Sequence, residues 1–312
     1  MEKDNCEKNK YVKPFLKWAG GKRQHLKDIY KRLPNEIMEE GIINSYIEPF
    51  VGGGSVYFFL WKKFNVRKVV LIDINKTLIL TYKIIRDKPL ELINELEKIS
   101  KLFIKLEDLG KKEKFYYDVR DRFNADIQDF DFSNFNSNWI SKAADFIFLN
   151  KTCYNGLFRE NKKGEFNVPF GKYKNPKIFD KNNILAVSFA LMNCNIICDD
   201  YSVSSKHIIK GSFVYLDPPY MPIKGKSNFT SYSSSGFGKK QQEELAVFFK
   251  KMDLRGAHLM LSNSYGSSEK ENGEYFNKLY PNVTLKEIEA IRTINSKSDN
   301  RKGFFDLLIT NY

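Results

Sequence analysis

Tyr46-Ile47-Glu48-Pro49-Phe50-Val51-Gly52-Gly53-Gly54-Ser55-Val56 reads as a strand end, a glycine loop and the start of a helix that continues as the apolar run Val56 to Phe64. Glycines at such a turn admit positive φ and let the backbone approach a ligand closely. About twenty residues beyond the loop a second apolar run, Val69-Val70-Leu71-Ile72, ends in Asp73. A carboxylate there can accept hydrogen bonds from both ribose hydroxyls of an adenosine cofactor. Asn75 stands where it can cap a helix from Thr77 to Arg86. Strand, glycine loop, helix and acid-terminated strand together predict an α/β fold.

A second stretch, Gly211-Ser212-Phe213-Val214-Tyr215-Leu216, predicts a buried strand that delivers Asp217-Pro218-Pro219-Tyr220 to its carboxyl end. An exocyclic amine on a nucleobase is a poor nucleophile because its lone pair is delocalised into the ring. Asp217 and the Pro218 carbonyl can accept its hydrogens and favour a tetrahedral nitrogen. The two prolines stiffen the turn, and Tyr220 offers a flat face for an extruded base. Asp217, Pro218, Pro219 and Tyr220 are therefore the candidate catalytic residues, and methyl transfer to an amino nitrogen is the reaction they suggest.

Periodicity organises the rest of the chain. A helix is expected over Gln24 to Leu33 and a first strand over Ile42 to Ile47. From about Lys88 to Phe148 the pattern turns almost wholly helical, with Leu90, Leu92, Ile93, Leu96 and Ile99 on one apolar face. Asp129 to Asn138 reads as an irregular loop. Strands resume at Asn195 to Cys198, ending at Asp199 and Asp200, then at Ser212 to Leu216 and His258 to Leu261. Val283 to Ile288 and Phe304 to Thr310 are expected to close the sheet as an antiparallel pair.

In this order the pieces resemble the Dam-type DNA adenine methyltransferases, alpha group, of the D12 class, from Pro14 to Tyr312. Phe15 to Lys22 is similar to that family's amino-terminal cofactor motif, Glu48 to Val56 to its glycine motif, and Asp217 to Tyr220 to its catalytic motif. Asn150 to Asn161 with Gly164 to Tyr173 is similar to the DNA-reading hairpin of the GATC-specific members. The resemblance implies a Rossmann-like S-adenosylmethionine-dependent methyltransferase fold, with a mixed, mostly parallel sheet and an antiparallel end strand. It also implies an inserted, mainly helical DNA-recognition domain. Residues 1–87 and 177–312 would form the catalytic domain, and 88–176 the insert, with its hairpin at about 150–173.

The same resemblance implies site residues. Trp18, Lys22, Glu48, Phe50, Gly52, Gly54, Asp73, Asp200, Tyr201 and Asp217 would bind S-adenosylmethionine, with S-adenosylhomocysteine as product. Within that set Lys22 is expected on the cofactor carboxylate, and Asp200 with Tyr201 beside its adenine. Lys17, Tyr154, Asn155, Leu157, Arg159, Asn161, Pro169 and Tyr173 would contact DNA. Arg159 can read guanine with its fork, Leu157 and Pro169 can meet a thymine methyl, and Tyr154 is implied as a wedge in the base stack. The partner is double-stranded DNA containing GATC, and a cognate restriction endonuclease in the same system is compatible with this reading.

Composition agrees. Lys and Arg number 51 against 38 Asp and Glu, for a formal net charge of +13 at pH 7, which suits a polyanion. Tyr154, Phe158, Phe166, Phe170 and Tyr173, interleaved with basic residues, are expected to form a surface that stacks bases and neutralises phosphate. Cys6, Cys153, Cys194 and Cys198 with His25, His207 and His258 make no paired ligand cluster, so no metal is expected and the cysteines read as buried thiols. No apolar stretch nears twenty residues and the leader is polar, so no membrane partner and a cytoplasmic location are expected. Ala19-Gly20-Gly21-Lys22-Arg23 fails as a phosphate loop, with Leu16 and Arg23 where that motif needs Gly and Ser or Thr. The rival readings are a methyltransferase acting on RNA or a protein amide, and a DNA-binding protein that has lost turnover. Cytosine is the minority target, because Ser more often replaces the first acid among enzymes that modify it.

Overall fold

A computed structural model of the chain describes residues 11–219, 237–266, 269–289 and 305–312. Its strands are β1 (Ile42–Glu48), β2 (Asn65–Asp73), β3 (Cys194–Cys198), β4 (Phe213–Leu216), β5 (His258–Gly266), β6 (Thr284–Glu289) and β7 (Phe305–Thr310). They form one seven-stranded sheet in the order β3-β2-β1-β4-β5-β7-β6. Every pairing from β3 across to β5 is parallel, and β7 runs antiparallel to both β5 and β6. The expected antiparallel closure is present, with β7 slotted between β5 and β6.

Side-chain alternation assigns each strand residue to one of two faces. Tyr46, Leu71, Phe213 and Tyr215 enter one core, while Ile47, Val70, Ile72, Val214 and Leu216 enter the other. Both faces are buried, which is why these strands read as continuous apolar runs rather than alternating ones. The helices Ser55–Lys63, Lys76–Asp87 and Lys181–Leu191 cover the first face, and Lys239–Asp253 and Glu269–Leu279 the second. Asn75 caps its helix as expected, accepting the Leu78 N–H at 2.8 Å. The helix expected over Gln24 to Leu33 is broken instead into a 3-10 turn, Lys22–Gln24, and a short helix, Leu26–Tyr30, because His25 leaves helical geometry between them.

Between β2 and β3 lie the helices Pro89–Lys105, Leu109–Asn124 and Asn138–Thr152. Leu92, Ile93, Leu96, Ile99 and Phe103 face inward, but Leu90 is 59% exposed, since it sits in the first turn on the outer side. Asp145, almost fully buried, accepts both Nε (2.9 Å) and one terminal nitrogen (2.5 Å) of Arg122. Such a two-pronged bond ties two helices with fixed geometry. The 129–137 stretch has no helix or strand and Asn138 already opens the next helix, yet the stretch is tethered: Asp131 accepts the N–H groups of Ser133 and Asn134, and its carbonyl accepts Trp139 Nε1 at 2.7 Å. The insert shares one hydrophobic core with the sheet, from Val12 and Tyr46 through Leu96 and Phe148 to Phe170. Of the described cysteines, Cys153 and Cys194 are buried thiols, whereas Cys198 is exposed. That departs from expectation because it lies at the last residue of the edge strand β3.

Candidate active site

The chain leaves β1 toward β2 and β3, then returns to lay β4 on the opposite side of β1. A reversal of this kind opens a crevice at the strands' carboxyl ends, where ligands of α/β sheets bind. Four acids stand along that edge: Glu48 closes β1, Asp73 closes β2, Asp200 follows β3 and Asp217 follows β4. All four line one cavity of about 1330 Å³. Trp18, Lys22, Phe50, Gly52, Tyr201, Pro218 and Pro219 line it too.

The glycine loop is held from three sides. Asp73 accepts the Gly52 N–H at 3.0 Å on one oxygen and the Asn75 N–H at 2.9 Å on the other. Tyr82, from the Lys76–Asp87 helix, donates its hydroxyl to the Gly52 carbonyl at 3.0 Å. Trp18 closes the third side: a Cβ on Gly52, whose φ is +46°, would lie 2.7 Å from the indole. Gly54, at φ +69°, has equally little room, with the Tyr82 hydroxyl 2.6 Å from where a Cβ would stand. Each Asp73 oxygen keeps acceptor capacity for a ligand hydroxyl. Burial raises the Asp73 pKa, and the N–H bonds from Asn75 and Gly52 oppose that rise.

Asp217 forms an ion pair with Lys22, Nζ to Oδ1 at 2.7 Å. Lys22 is 3% exposed and also donates to the Gly20 carbonyl at 3.0 Å. Burial raises the Asp217 pKa, while the Lys22 charge works against it. The lysine expected on a cofactor carboxylate therefore rests on the candidate catalytic acid. Glu48 lies beside them, fully enclosed, accepting the Tyr46 hydroxyl at 2.8 Å. Burial pushes its pKa well up, and the neighbouring Asp217 and Asp73 charges add to the rise. A protonated Glu48 spares the pocket one negative charge.

An aromatic slot completes the cavity. Phe50 stacks on Tyr201 with ring centres 5.3 Å apart, and Phe237 meets Phe50 edge-on at 6.0 Å. Asp200 is exposed and fixes the Tyr201–Lys206 turn by accepting the Ser202 N–H at 3.0 Å. Among the described residues no group of three or more His, Cys, Asp or Glu is arranged to hold a metal.

The candidate DNA-contact residues gather on the 150–173 excursion. Antiparallel bridges join Cys153 to Phe170 and Glu160 to Phe166. Tyr154 is 54% exposed and Pro169 is exposed too, and the Pro169 carbonyl accepts the Tyr154 N–H at 2.8 Å. Asn155 is exposed with a φ of +55°. Leu157 is half-buried. Lys17 has its ammonium 5.0 Å from the Tyr173 ring centre. Arg159 is exposed, with Nε on the Asn167 side chain at 2.7 Å and a terminal nitrogen on the Asn167 carbonyl at 3.2 Å. Asn161 is engaged at the tip, bonding Lys163 N, Glu165 N and the Glu165 carboxylate.

The expected stacking surface needs correction. Phe158, Phe166 and Phe170 are buried, at 4%, 1% and 4% exposure, and belong to the core. Phe158 stacks on Trp18 at 5.4 Å, and Phe170 packs against Tyr116 and Phe103. The phenylalanines anchor the excursion and leave Tyr154 toward solvent, with Tyr173 half-buried against Lys17. Tyr220, most of the 227–238 loop and the basic 292–301 segment lie outside the described residues. Sequence reasoning missed Tyr46 and Tyr82, which hold Glu48 and Gly52, and the buried pair of His25 and Asp306. Only distant contacts define these roles, so no local motif signals them.

Residues 18–294 match the D12 class N6 adenine-specific DNA methyltransferase family. The chain is 50% identical over 302 residues to the Type II methyltransferase M.MjaIII of Methanocaldococcus jannaschii, an alignment covering 96% of this chain and 99% of that protein. It is 36% identical over 309 residues to the Type II methyltransferase M1.LlaDCHI of Lactococcus lactis subsp. cremoris, covering 98% of each. With the DNA adenine methylase of Escherichia coli strain K12 it shares 33% identity over 294 residues, or 94% of this chain and 93% of that one.

Proposed function

We propose, from the premise that this chain belongs to the D12 class of N6 adenine-specific DNA methyltransferases, that it modifies an adenine swung out of duplex GATC using S-adenosylmethionine. Adenine-specific DNA methylation comes with the family. S-adenosylmethionine supplies an electrophilic methyl group on a sulfonium.

The residues fit that cofactor. Asp73 retains acceptor capacity for two ribose hydroxyls, and the Phe50–Tyr201 stack offers an adenine slot. The Lys22 charge is taken up by Asp217, so the proposal moves Lys22 from the cofactor tail to the catalytic carboxylate. Asp217, with the Pro218 carbonyl, then accepts the target amino hydrogens and returns lone-pair density to the nitrogen. With S-adenosylmethionine bound, methylation of the nitrogen would release one of its protons, and Asp217 stands where it can accept that proton. Most of the rate then comes from positioning and from oriented acceptors in a water-poor pocket. For DNA contact, the proposal keeps Lys17, Tyr154, Asn155, Leu157, Arg159, Pro169 and Tyr173, and gives Asn161 the task of shaping the tip.

The observation that carries this reading is the ion-paired Asp217 sharing one cavity with Asp73 and the aromatic slot. The test is incorporation of tritium from labelled S-adenosylmethionine into duplexes that differ in one tetranucleotide. GATC duplexes should be labelled and single-substituted ones spared, and equal labelling would remove the sequence assignment. Asp217→Ala should abolish transfer while calorimetric cofactor affinity falls only modestly. Transfer near the wild-type rate would remove Asp217 from the chemistry. A cognate endonuclease belongs to the reading only if unmethylated GATC duplexes are cut, and methylated ones spared, in extracts of the cells that make the protein.

A further inference from the structure

Beside the Lys22–Asp217 pair stands a second buried histidine–carboxylate contact that the proposed chemistry does not use. His25 Nε2 lies 2.9 Å from Asp306 Oδ2, with the two side chains 1% and 7% exposed. His25 follows the same 3-10 turn that presents Lys22. Asp306 comes from β7, whose neighbour β5 is paired with the strand that carries Asp217. Residues far apart in sequence thus meet where little water reaches them.

The charges must be apportioned. Asp217 faces Lys22 and His25 as favourable partners and Asp306 as an unfavourable one, and Glu48 from β1 stands on its other side. Asp73 of β2 acts on Glu48 in turn. Lys22 is an ammonium within this group, and without His25 the Asp306 charge would bear on Asp217 unopposed by that side chain. A carboxylate close to a like charge resists ionisation, so Asp217 would then be a poorer acceptor for an amine.

We infer that His25 and Asp306 form a positioning pair: His25 engages Asp306 and leaves Lys22 to Asp217. The inference rests on the reading of Asp217 as the acceptor of the target amine. The Gln24 amide also lies 3.0 Å from His25 Nε2, and Nδ1 finds no hydrogen-bond partner among the described residues. His25 Nε2 thus lies between the Gln24 amide and the Asp306 carboxylate, and it engages Asp306 in the tautomer or charge state that carries a proton on Nε2.

The experiment is the pH profile of kcat for methylation in five proteins: wild type, His25→Leu, His25→Gln, Asp306→Asn and the double variant His25→Leu/Asp306→Asn. His25→Leu should move the acid limb up by about one pH unit, a rate loss of roughly tenfold below the limb. Asp306→Asn should move it down, because it deletes a negative charge near Asp217. The double variant should return close to wild type, and His25→Gln, which keeps an N–H donor, should rescue much of the loss. Movement of His25→Leu and Asp306→Asn in the same direction, or a uniform drop in kcat with no movement of the limb, overturns the inference. If His25→Leu does not fold, Asp306→Asn and the double variant still decide: the first must lie below wild type, and the second near it. Asp217→Asn separates the two claims. Wild-type rates and an unchanged limb in that variant would sink the reading of Asp217, whereas a lost rate there with unmoved limbs in the other variants would sink only the positioning pair.

Discussion

Glu160 lines the same cavity as Glu48, Asp73, Asp200 and Asp217, and among the described residues no donor reaches its side chain. Burial alone pushes its pKa up to about 7. A folded-state pKa above the unfolded one means a stability contribution that is complete below the unfolded value near 4.5 and is lost as pH rises through about 7. Glu160→Gln mimics the protonated form at every pH. It should therefore match wild type at pH 4 and exceed it at pH 8 by about 1–2 kcal/mol, a figure discounted for partial exposure. Urea unfolding at the two pH values measures this, and an equal difference at both would show that the carboxylate carries no such cost. At single positions the sequence located residues but not their contacts. Asp73 could be placed at the end of β2 from its spacing after the glycine loop. Its hold on the Gly52 N–H could not be read, because that depends on how the loop folds back onto β2. Lys22 could be placed beside the glycine loop, but its partner could not, since Asp217 lies far along the chain.

The 150–173 excursion shows what sequence reading does at the scale of an element. Its aromatic and basic residues suggested one composite surface, yet the fold divides them. Phe158, Phe166 and Phe170 point into the core, and Arg159, Tyr154 and Pro169 point out. Two isolated bridges set this division, and the sequence carried no signal for their register because the segment has no regular alternation. Arg159 is braced by Asn167 through Nε and one terminal nitrogen, which leaves N–H groups at the outer end of the fork. Held in this way, the guanidinium loses less rotamer freedom on meeting a guanine. Arg159→Ala should cut the rate preference for GATC over a duplex with that guanine replaced by roughly 1–3 kcal/mol. Lys163 sits at the exposed tip beside the cavity, and Lys163→Ala should weaken all duplexes alike and reduce the salt slope by about one counterion. Methylation rates for cognate and substituted duplexes across a salt series separate the two. An unchanged ratio in Arg159→Ala would make that residue a charge contact only.

At the scale of the whole molecule, the sequence marked 88–176 as a unit distinct from the rest, because strands gave way to helices there. The helical content was legible from its apolar spacing. The way those helices join the sheet was not, because the junction depends on one helix meeting another across the chain. Lys76–Asp87 passes through Lys88 into Pro89–Lys105, and the first of these helices belongs to the sheet's own cover. Val12, Tyr46, Leu78, Leu96, Phe148 and Phe170 then lie in one uninterrupted cluster. A unit with its own core could be cut away, but this one would expose the apolar faces of its helices and uncover the first face of the sheet. Exposing that much apolar surface costs far more than the small margin by which domains are stable. Calorimetric unfolding of the full chain should therefore give one cooperative transition, with van't Hoff and calorimetric enthalpies in agreement. A fragment covering 88–176 should lack a sigmoidal melt and cooperative urea unfolding. Two resolved transitions in the full chain, or a cooperatively folding fragment, would make the insert an independent domain. In the single-transition case, a cavity-forming change in the insert such as Phe148→Ala, expected to cost about 3–5 kcal/mol, should lower the melting temperature seen at both Trp139 of the insert and the cavity at the sheet edge by the same amount. A shift confined to the insert would break the claim that one core supports both the 150–173 excursion and the cavity at the sheet edge.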